Sequence, residues 1–369
     1  MLQETDVLVV GGGPAGLAAA IAARQRGFAV TVADGANPPI RKACGEGLLP
    51  DGLEALRALG VTIRESDGCA LRGIRFEDDR SRVSGEFSNG QGIGIRREVL
   101  HLRMLERASD CGVTFHWNTP ITALYEDGVI ARGDKMPARW VIGADGSSSL
   151  VRRWSGLQNA SWQKGRFAYR RHYRLSPWTD FTEIYWGEKA QAYITPVKKD
   201  EICVVLISND SSSRFDETLR SFPGLERQLK NAAQASAERG AVTGDFRLKH
   251  VYRGKVALVG DASGSVDAIT GEGLSLSFRQ AHELAAALAE GNLARYQAAH
   301  RRILSRMRFA GKLLLLVGRR TSLRKRALRA LEAAPQLFER MLAYHVGETR
   351  PLDLAAIGAS LGWRLLTTA

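Results

Sequence analysis

Cysteine is scarce in this 369-residue chain: four in all, Cys44, Cys69, Cys111 and Cys203, widely spaced and without a CxxC pair. That spacing argues against a zinc site, a dithiol redox centre and a disulfide framework. The seven histidines pair neither with one another nor with cysteine at ligand spacing, so no metal is expected. Long apolar runs are also missing. The longest near the C-terminus, residues 313–318, falls far short of the ~20 residues a membrane span needs. The N-terminus lacks a basic segment, apolar core and cleavage site of a secretory signal, which makes a cytoplasmic location the expectation. Acidic residues are outnumbered, 39 against 52 basic ones, for a net charge of +13. Such a balance suits nucleic acid or an anionic surface only where the charges form a patch. Here they gather in part, from Arg301, Arg302, Arg306, Arg308 and Lys312 through Arg319, Arg320, Arg324, Lys325, Arg326 and Arg329, interleaved with Leu and Ala at helical spacing. A solvated helix face is the plain reading. Peripheral membrane, an acidic partner or another subunit are the alternatives, and nucleic acid is not expected.

What the chain does contain is a hydrophobic share of 44% and a charged share of 25%, ordinary for a globular protein. At this length roughly three quarters of the unfolded surface can be buried, enough for two domains or one elaborated one. The stretch that organises the rest is residues 6–34. An apolar, β-branched run ending at Val10 leads directly into Gly11-x-Gly13-x-x-Gly16, and an alanine-rich helix follows from Pro14. The first glycine permits a tight turn, the second lets a pyrophosphate approach the backbone, and the third lets helix and strand pack closely. Pro14 and Ala15 open the helix, where proline is tolerated and where the free amides attract phosphate. Gly27 ends the helix, a second apolar strand follows, and Asp34 closes it at the distance of an acid that accepts a ribose hydroxyl. Strand, turn, helix, strand and acid in order point to a dinucleotide.

A turn-rich loop follows, Arg41-Lys-Ala-Cys44-Gly-Glu46-Gly47, before a helical pattern at 52–59. Two glycines around Glu46 either let backbone approach a flat ligand or form a turn that caps the next helix, and the residues leave both open. Residues 73–95 alternate like strands, with Asn89-Gly90 as a hairpin signal, and predict an excursion into a second sheet. Arg97 begins a helix that returns the chain to the first domain, and short strands follow at 113–117, 121–125 and 129–132. An apolar strand at 139–144 then delivers Asp145-Gly146, and the same arrangement recurs at 256–261 with Asp261. Asp145 alone is equally a helix cap. The repetition favours ligand contact at the strand ends, and the second copy runs on to Gly271-Glu272-Gly273, a glycine-rich helix start whose amides suit a partially negative atom. Between the copies, 167–208 is dense in aromatic and β-branched residues and predicts mostly antiparallel sheet, with 213–239 helical and interrupted at Pro223-Gly224.

These three sites together resemble the FAD-dependent oxidoreductases with the para-hydroxybenzoate hydroxylase fold, in particular their geranylgeranyl reductase-like branch, over most of the chain. The resemblance implies an α/β fold: a Rossmann-like FAD-binding domain of three-layer ββα architecture from 1–72, 96–160 and 250–300. It also implies a mostly antiparallel substrate domain from 73–95 and 161–249, and C-terminal helices from 301–369. It assigns Gly11, Gly13, Pro14, Ala15, Gly16 and Asp34 to the adenosine end of FAD, Arg41 and Arg97 to its neighbourhood, Asp145 to FAD and nicotinamide handling, and Asp261 to the ribityl chain. Gly271, Glu272 and Gly273 would lie beneath the flavin ring. Cys44 is similar to the cysteine that faces the flavin in the reductase branch, and with Glu46 and Tyr193 it makes the expected catalytic set. Tyr193 stands where those reductases carry a tryptophan, and the same segment lacks the Trp-x-Trp-x-Ile-Pro pattern of flavin-dependent halogenases. The expected activity is an NAD(P)H-driven monooxygenase acting on a hydrophobic or aromatic small molecule, with a reductase of carbon-carbon bonds in an isoprenoid or lipid-like substrate as the alternative. NAD(P)H would bind transiently, since no second GxGxxG is present.

Overall fold

A computed structural model describes residues 5–158, 160–162, 165–347 and 351–367 of the chain. The outermost ends of the expected nucleotide domain and C-terminal region, 1–4 and 368–369, lie outside the described residues. Val7–Val10 is apolar at every position and sits inside a six-stranded sheet. Its neighbours, Val30–Ala33 and Trp140–Gly143, run parallel to it, as do Thr114–His116 and Val256–Leu258 beyond them; Tyr252–Arg253 is an antiparallel edge. Because side chains alternate along a strand, Val7 and Val9 join the helical core while Leu8 and Val10 join a different one. The first core is formed with the alanine-rich helix Pro14–Gln25 and with Gly273–Ala289. The second is formed with the three-stranded antiparallel sheet of Ile121–Tyr125, Gly128–Ala131 and Asp134–Pro137. A strand covered on both faces needs a continuous apolar run, which is why its sequence shows no alternation. The result is the expected three-layer ββα arrangement.

The second sheet has eight strands. Arg166–Arg174, Glu201–Ser208, Ala190–Lys198 and Phe181–Trp186 form its antiparallel centre, and Gly73–Glu77 joins Phe181–Trp186 in parallel before pairing with Arg82–Glu86. One face, with Ile184, Tyr193 and Val205, packs toward the C-terminal helices Thr321–Glu332 and Pro335–His345. The opposite face, with Ala192, Ile194 and Val204, packs on two short helices, Phe215–Leu219 and Pro223–Leu229. Two expectations are corrected here. Pro223 begins the second short helix rather than interrupting a long one, since its missing N–H is unneeded in the first turn, and beyond Leu229 the chain returns to strand at Ala233–Gln234 and Arg239–Thr243. Asn89-Gly90 turns the chain, but Arg82–Glu86 and Gly92–Ile95 do not pair as a hairpin. Gly92–Ile95 pairs instead with Gly47–Leu48 and Gly68–Leu71, which anchors the C-terminal side of the Cys44–Gly47 loop in a small sheet.

Candidate functional site

A cavity of about 990 Å³ runs from the Gly11–Gly13 turn to the apolar face of the eight-stranded sheet. The three glycines at its first end differ in what surrounds them. A Cβ on Gly11, where φ is 111°, would lie 2.5 Å from the Ala144 carbonyl oxygen, and one on Gly16 would lie 1.8 Å from the Gly11 carbonyl oxygen. A Cβ on Gly13 would meet no atom of the described residues within 4 Å beyond its chain neighbours. Gly11 and Gly16 are therefore required by the protein's own packing, whereas Gly13 keeps an open space at the start of Pro14–Gln25. Pro14 and Ala15 line that space. Open backbone at a helix N-terminus fits a pyrophosphate.

Asp34 lines the same end and accepts from the Gly12 N–H at 2.7 Å and from the Ala36 N–H at 2.8 Å, one through each carboxylate oxygen. Each oxygen keeps acceptor capacity for a ribose hydroxyl. Arg97 also lines the cavity, and its Nε is buried without a partner among the described residues, as expected of a group awaiting an anion. Asp145 lies on the wall, but its carboxylate already holds the next helix, accepting from the Ser149 hydroxyl at 2.5 Å and from the Leu150 and Val151 N–H groups at 2.7 and 3.1 Å. It is a cap first. Asp261 accepts from Lys42 Nζ at 2.5 Å. Lys42, not Arg41, faces the cavity: Arg41 pairs with Glu98 at 3.0 Å with its side chain half exposed, and does not line the space. The sequence shows the Arg-Lys pair, but which of two adjacent side chains points inward depends on the path of the loop.

The Cys44–Gly47 loop faces the cavity. The Cys44 thiol accepts from the Glu46 N–H at 3.4 Å, and Glu46 adopts a left-handed φ of 60° that few non-glycine residues take. Its buried carboxylate explains how that conformation is held. One oxygen accepts from the Arg97 N–H at 3.0 Å and the other lies 2.6 Å from His172 Nε2. Arg170 can only donate, at 2.7 Å to His172 Nδ1, so the ring places its N–H on Nε2 and donates to Glu46. Glu46, one of the expected catalytic set, thus has both carboxylate oxygens engaged and acts as a clasp between loop, helix and second sheet. Cys203 completes the group; one ligand-capable atom each from Glu46, His172 and Cys203 lie within 4.8 Å of one another. The Arg170 guanidinium supplies the positive charge here, burial pushes the Cys203 thiol well above its usual range, and that thiol donates to the Cys44 carbonyl at 3.7 Å. Sequence spacing could not reveal the group, because its members come from separate strands and a loop.

At the opposite end, Gly271 takes a left-handed φ of 69° and Gly273 opens the helix Gly273–Ala289, and beyond their own chain neighbours and helix backbone no described atom lies within 4 Å of either missing Cβ. Glu272 between them is fully buried, and neither of its carboxylate oxygens has a hydrogen-bond partner among the described residues. Burial holds its carboxyl well above the usual range, with Asp51 adding to the effect. His345 Nε2 lies 3.4 Å from Glu272 Oε1 and donates to the Thr270 carbonyl at 2.9 Å. On the sheet side, Tyr193 and Thr182 line the cavity, and their buried hydroxyls have no hydrogen-bond partner among the described residues. Burial pushes the Tyr193 phenol up, opposed by the Arg166 guanidinium. Arg166 itself chelates Asp267, which joins the sheet to the segment beneath the helix start, a contact not visible in the sequence.

Two histidines give the fold an acid sensitivity. Burial lowers His300 to about 3 and His345 to about 4, both from an ordinary 6.5. The unfolded chain therefore binds these protons first, and stability falls as pH drops below about 6.5 until the folded values are reached. His300 Nε2 lies 2.9 Å from the Ser263 hydroxyl. The variant His300→Gln, which keeps a donor there without titrating, is expected to reduce the loss of unfolding free energy between pH 6.5 and 4 by roughly 2–3 kcal/mol. Urea melts at the two pH values measure it, and an unchanged slope would refute the assignment.

The glycine cradle, the Arg97 guanidinium and the second helix start fit FAD stretched across the sheet edge. Comparison with known proteins agrees. Residues 4–304 match the family described as FAD binding domain. Over 331 residues the chain is 28% identical to the menaquinone reductase of Mycobacterium tuberculosis (strain CDC 1551 / Oshkosh), covering 79% of this chain and 78% of that protein. It is 26% identical over 324 residues to the 3-demethoxyubiquinol 3-hydroxylase of Escherichia coli (strain K12), covering 76% and 79% respectively. Among solved structures, a flavoprotein/dehydrogenase from Cytophaga hutchinsonii superposes with a TM-score of 0.79 at 18% identity, covering 94% of this chain and 93% of that one. The chain belongs to the FAD-binding-domain family of oxidoreductases with the para-hydroxybenzoate hydroxylase fold.

Proposed function

We propose that this flavoprotein is a monooxygenase that hydroxylates an aromatic ring carrying an apolar tail. The observation that carries this reading is the chemistry of the cavity's far end. Ile74, Phe76, Ile184 and Val205 line it with C-terminal residues such as Phe338 and Leu342, and the hydroxyls of Tyr193 and Thr182, among these residues, have no hydrogen-bond partner among the described residues. A buried hydroxyl without a partner costs about 1–3 kcal/mol, a cost recovered when a substrate hydroxyl or carbonyl bonds to it. An apolar chamber with two such points suits a phenol or polyketide ring with a long alkyl chain. Bound FAD supplies the electron transfer and oxygen activation. The substrate RH, O2, NAD(P)H and a proton yield ROH, NAD(P)+ and water. The chain's own groups position the ring against the sheet, exclude water, and place the Gly273 helix N-terminus where negative charge develops. On this reading, 73–95 and 161–249 form the substrate-bearing unit, 1–72, 96–160 and 250–300 hold the cofactor, and NAD(P)H binds transiently.

A reductase acting on carbon-carbon bonds is the second reading, favoured by the Cys44 thiol on the cavity wall and by the similarity to a menaquinone reductase. Turnover of a long-chain phenol under 18O2 separates the two. Label in the product is expected; stoichiometric conversion by the photoreduced enzyme without oxygen would overturn the hydroxylase reading. In the same assay Tyr193→Phe is expected to raise KM about tenfold, the equivalent of one lost hydrogen bond, while thermal stability is unchanged or higher because an unpartnered hydroxyl is gone. A lower melting temperature with unaltered KM would contradict that role.

A further inference from the structure

The C-terminal helices do more than cover the cavity. Leu293–Arg319 contains no Asp or Glu, and its Leu314 and Leu315 pack into the core beneath the second sheet. On its outer face Phe309, Leu313 and Leu316 follow one another at helical spacing and are 50%, 38% and 47% exposed. Trp363, on the last helix Pro351–Thr367, is 70% exposed, and Val242, on the strand Arg239–Thr243, is 53% exposed. Large apolar side chains at such exposure are few among the described residues, and Phe309, Leu313 and Val242 all line the cavity as well. The apolar lining of the chamber therefore continues out to the surface. Lys312, Arg319 and Arg320, all exposed, share the helix face or follow directly after it, and none forms an ion pair with a described residue.

We infer that this face seats on an anionic phospholipid bilayer and that the cavity opens into it at Phe309 and Leu313. Two observations select a bilayer over other occupants. Phe309, Leu313 and Val242 line the chamber while also being exposed, so a protein covering this face would close the chamber. The cations beside them bring no acids of their own, which complements anionic headgroups. No described helix is long and apolar enough to cross a membrane, so the contact is peripheral. An apolar substrate would pass from lipid to chamber without entering water. The inference does not depend on hydroxylation, and its test needs no turnover.

The FAD-loaded protein is floated with vesicles of phosphatidylcholine containing phosphatidylglycerol, with pure phosphatidylcholine vesicles alongside. Binding to the anionic vesicles that weakens with added salt is expected. Leu313→Glu/Leu316→Glu should lower the partition coefficient at least tenfold, and Lys312→Ala/Arg319→Ala/Arg320→Ala by about 100-fold, at about fivefold per removed charge. Both variants should retain full flavin absorbance, which keeps the comparison valid. Failure of the wild type to float at low salt would overturn the inference, as would flotation of both variants equal to the wild type. A dimer in sedimentation equilibrium that Leu313→Glu/Leu316→Glu dissolves would also overturn it, since the face would then be a contact between copies.

Discussion

Gly13→Val is expected to give a folded protein that has lost its FAD, and Gly16→Ala a protein that scarcely folds, although both change one glycine of the same motif. Gly13 has backbone angles of −70° and 176°, open to any residue, and, beyond its chain neighbours, no atom of the described residues within 4 Å of the missing Cβ. Valine there disturbs nothing in the empty chain. Its methyl groups instead fill the space at the start of the helix where the pyrophosphate approaches the amides, so affinity should fall on the order of 100-fold or more. Gly16 presents the opposite case. A Cβ 1.8 Å from the Gly11 carbonyl oxygen and 3.2 Å from the Ala144 side chain can be relieved only by moving the helix off the strand. That separation opens the core shared by Leu17, Ala20 and Val9, at a cost of more than about 3 kcal/mol. Flavin absorbance after desalting and circular dichroism melts of the two variants check the contrast. An unfolded Gly13→Val, or a flavin-replete Gly16→Ala, would contradict it.

The clasp on the Cys44–Gly47 loop gives the second large effect. His172→Leu should destabilise the protein by about 3–5 kcal/mol, because it leaves the Glu46 carboxylate buried with only the Arg97 N–H as partner among the described residues. Glu46→Gln changes less. Its carbonyl can still accept from Arg97, but its amide then faces the His172 N–H donor to donor, a mismatch worth about 1–3 kcal/mol. The left-handed conformation of residue 46 should relax in both variants, so FAD affinity falls with stability. A general base at this position behaves differently. Its amide variant would lose about 10²- to 10⁴-fold in turnover with FAD binding and melting temperature intact. Melting temperature, flavin content and turnover measured together on the two variants therefore distinguish a positioning residue from a catalytic one.

How much of the site was legible depended on whether its chemistry is local in the chain. The Gly11–Gly16 unit was readable because turn, helix start and strand lie within a few residues, and backbone sterics alone demand glycine at Gly11 and Gly16. The helix start at Gly271–Gly273 was readable for the same reason. Asp145 carried an ambiguity that the sequence left open, and the geometry shows it spending its carboxylate on the helix at Leu150–Trp154. Arg41 was misassigned because in an irregular loop no periodicity tells which neighbour points inward, and Lys42 took the inward place.

Composition and local pattern by themselves determined the nucleotide-binding unit, the parallel first sheet and the aromatic second sheet, since each follows from short-range sterics or from the period of apolar residues. Tertiary structure alone decided that Glu46 meets His172, that Arg166 meets Asp267, and that Tyr193 and Thr182 face one chamber beneath the C-terminal helices. Those contacts join residues up to 126 positions apart. Their pairing is set by how the sheets and helices pack together, and no local preference of the chain encodes it.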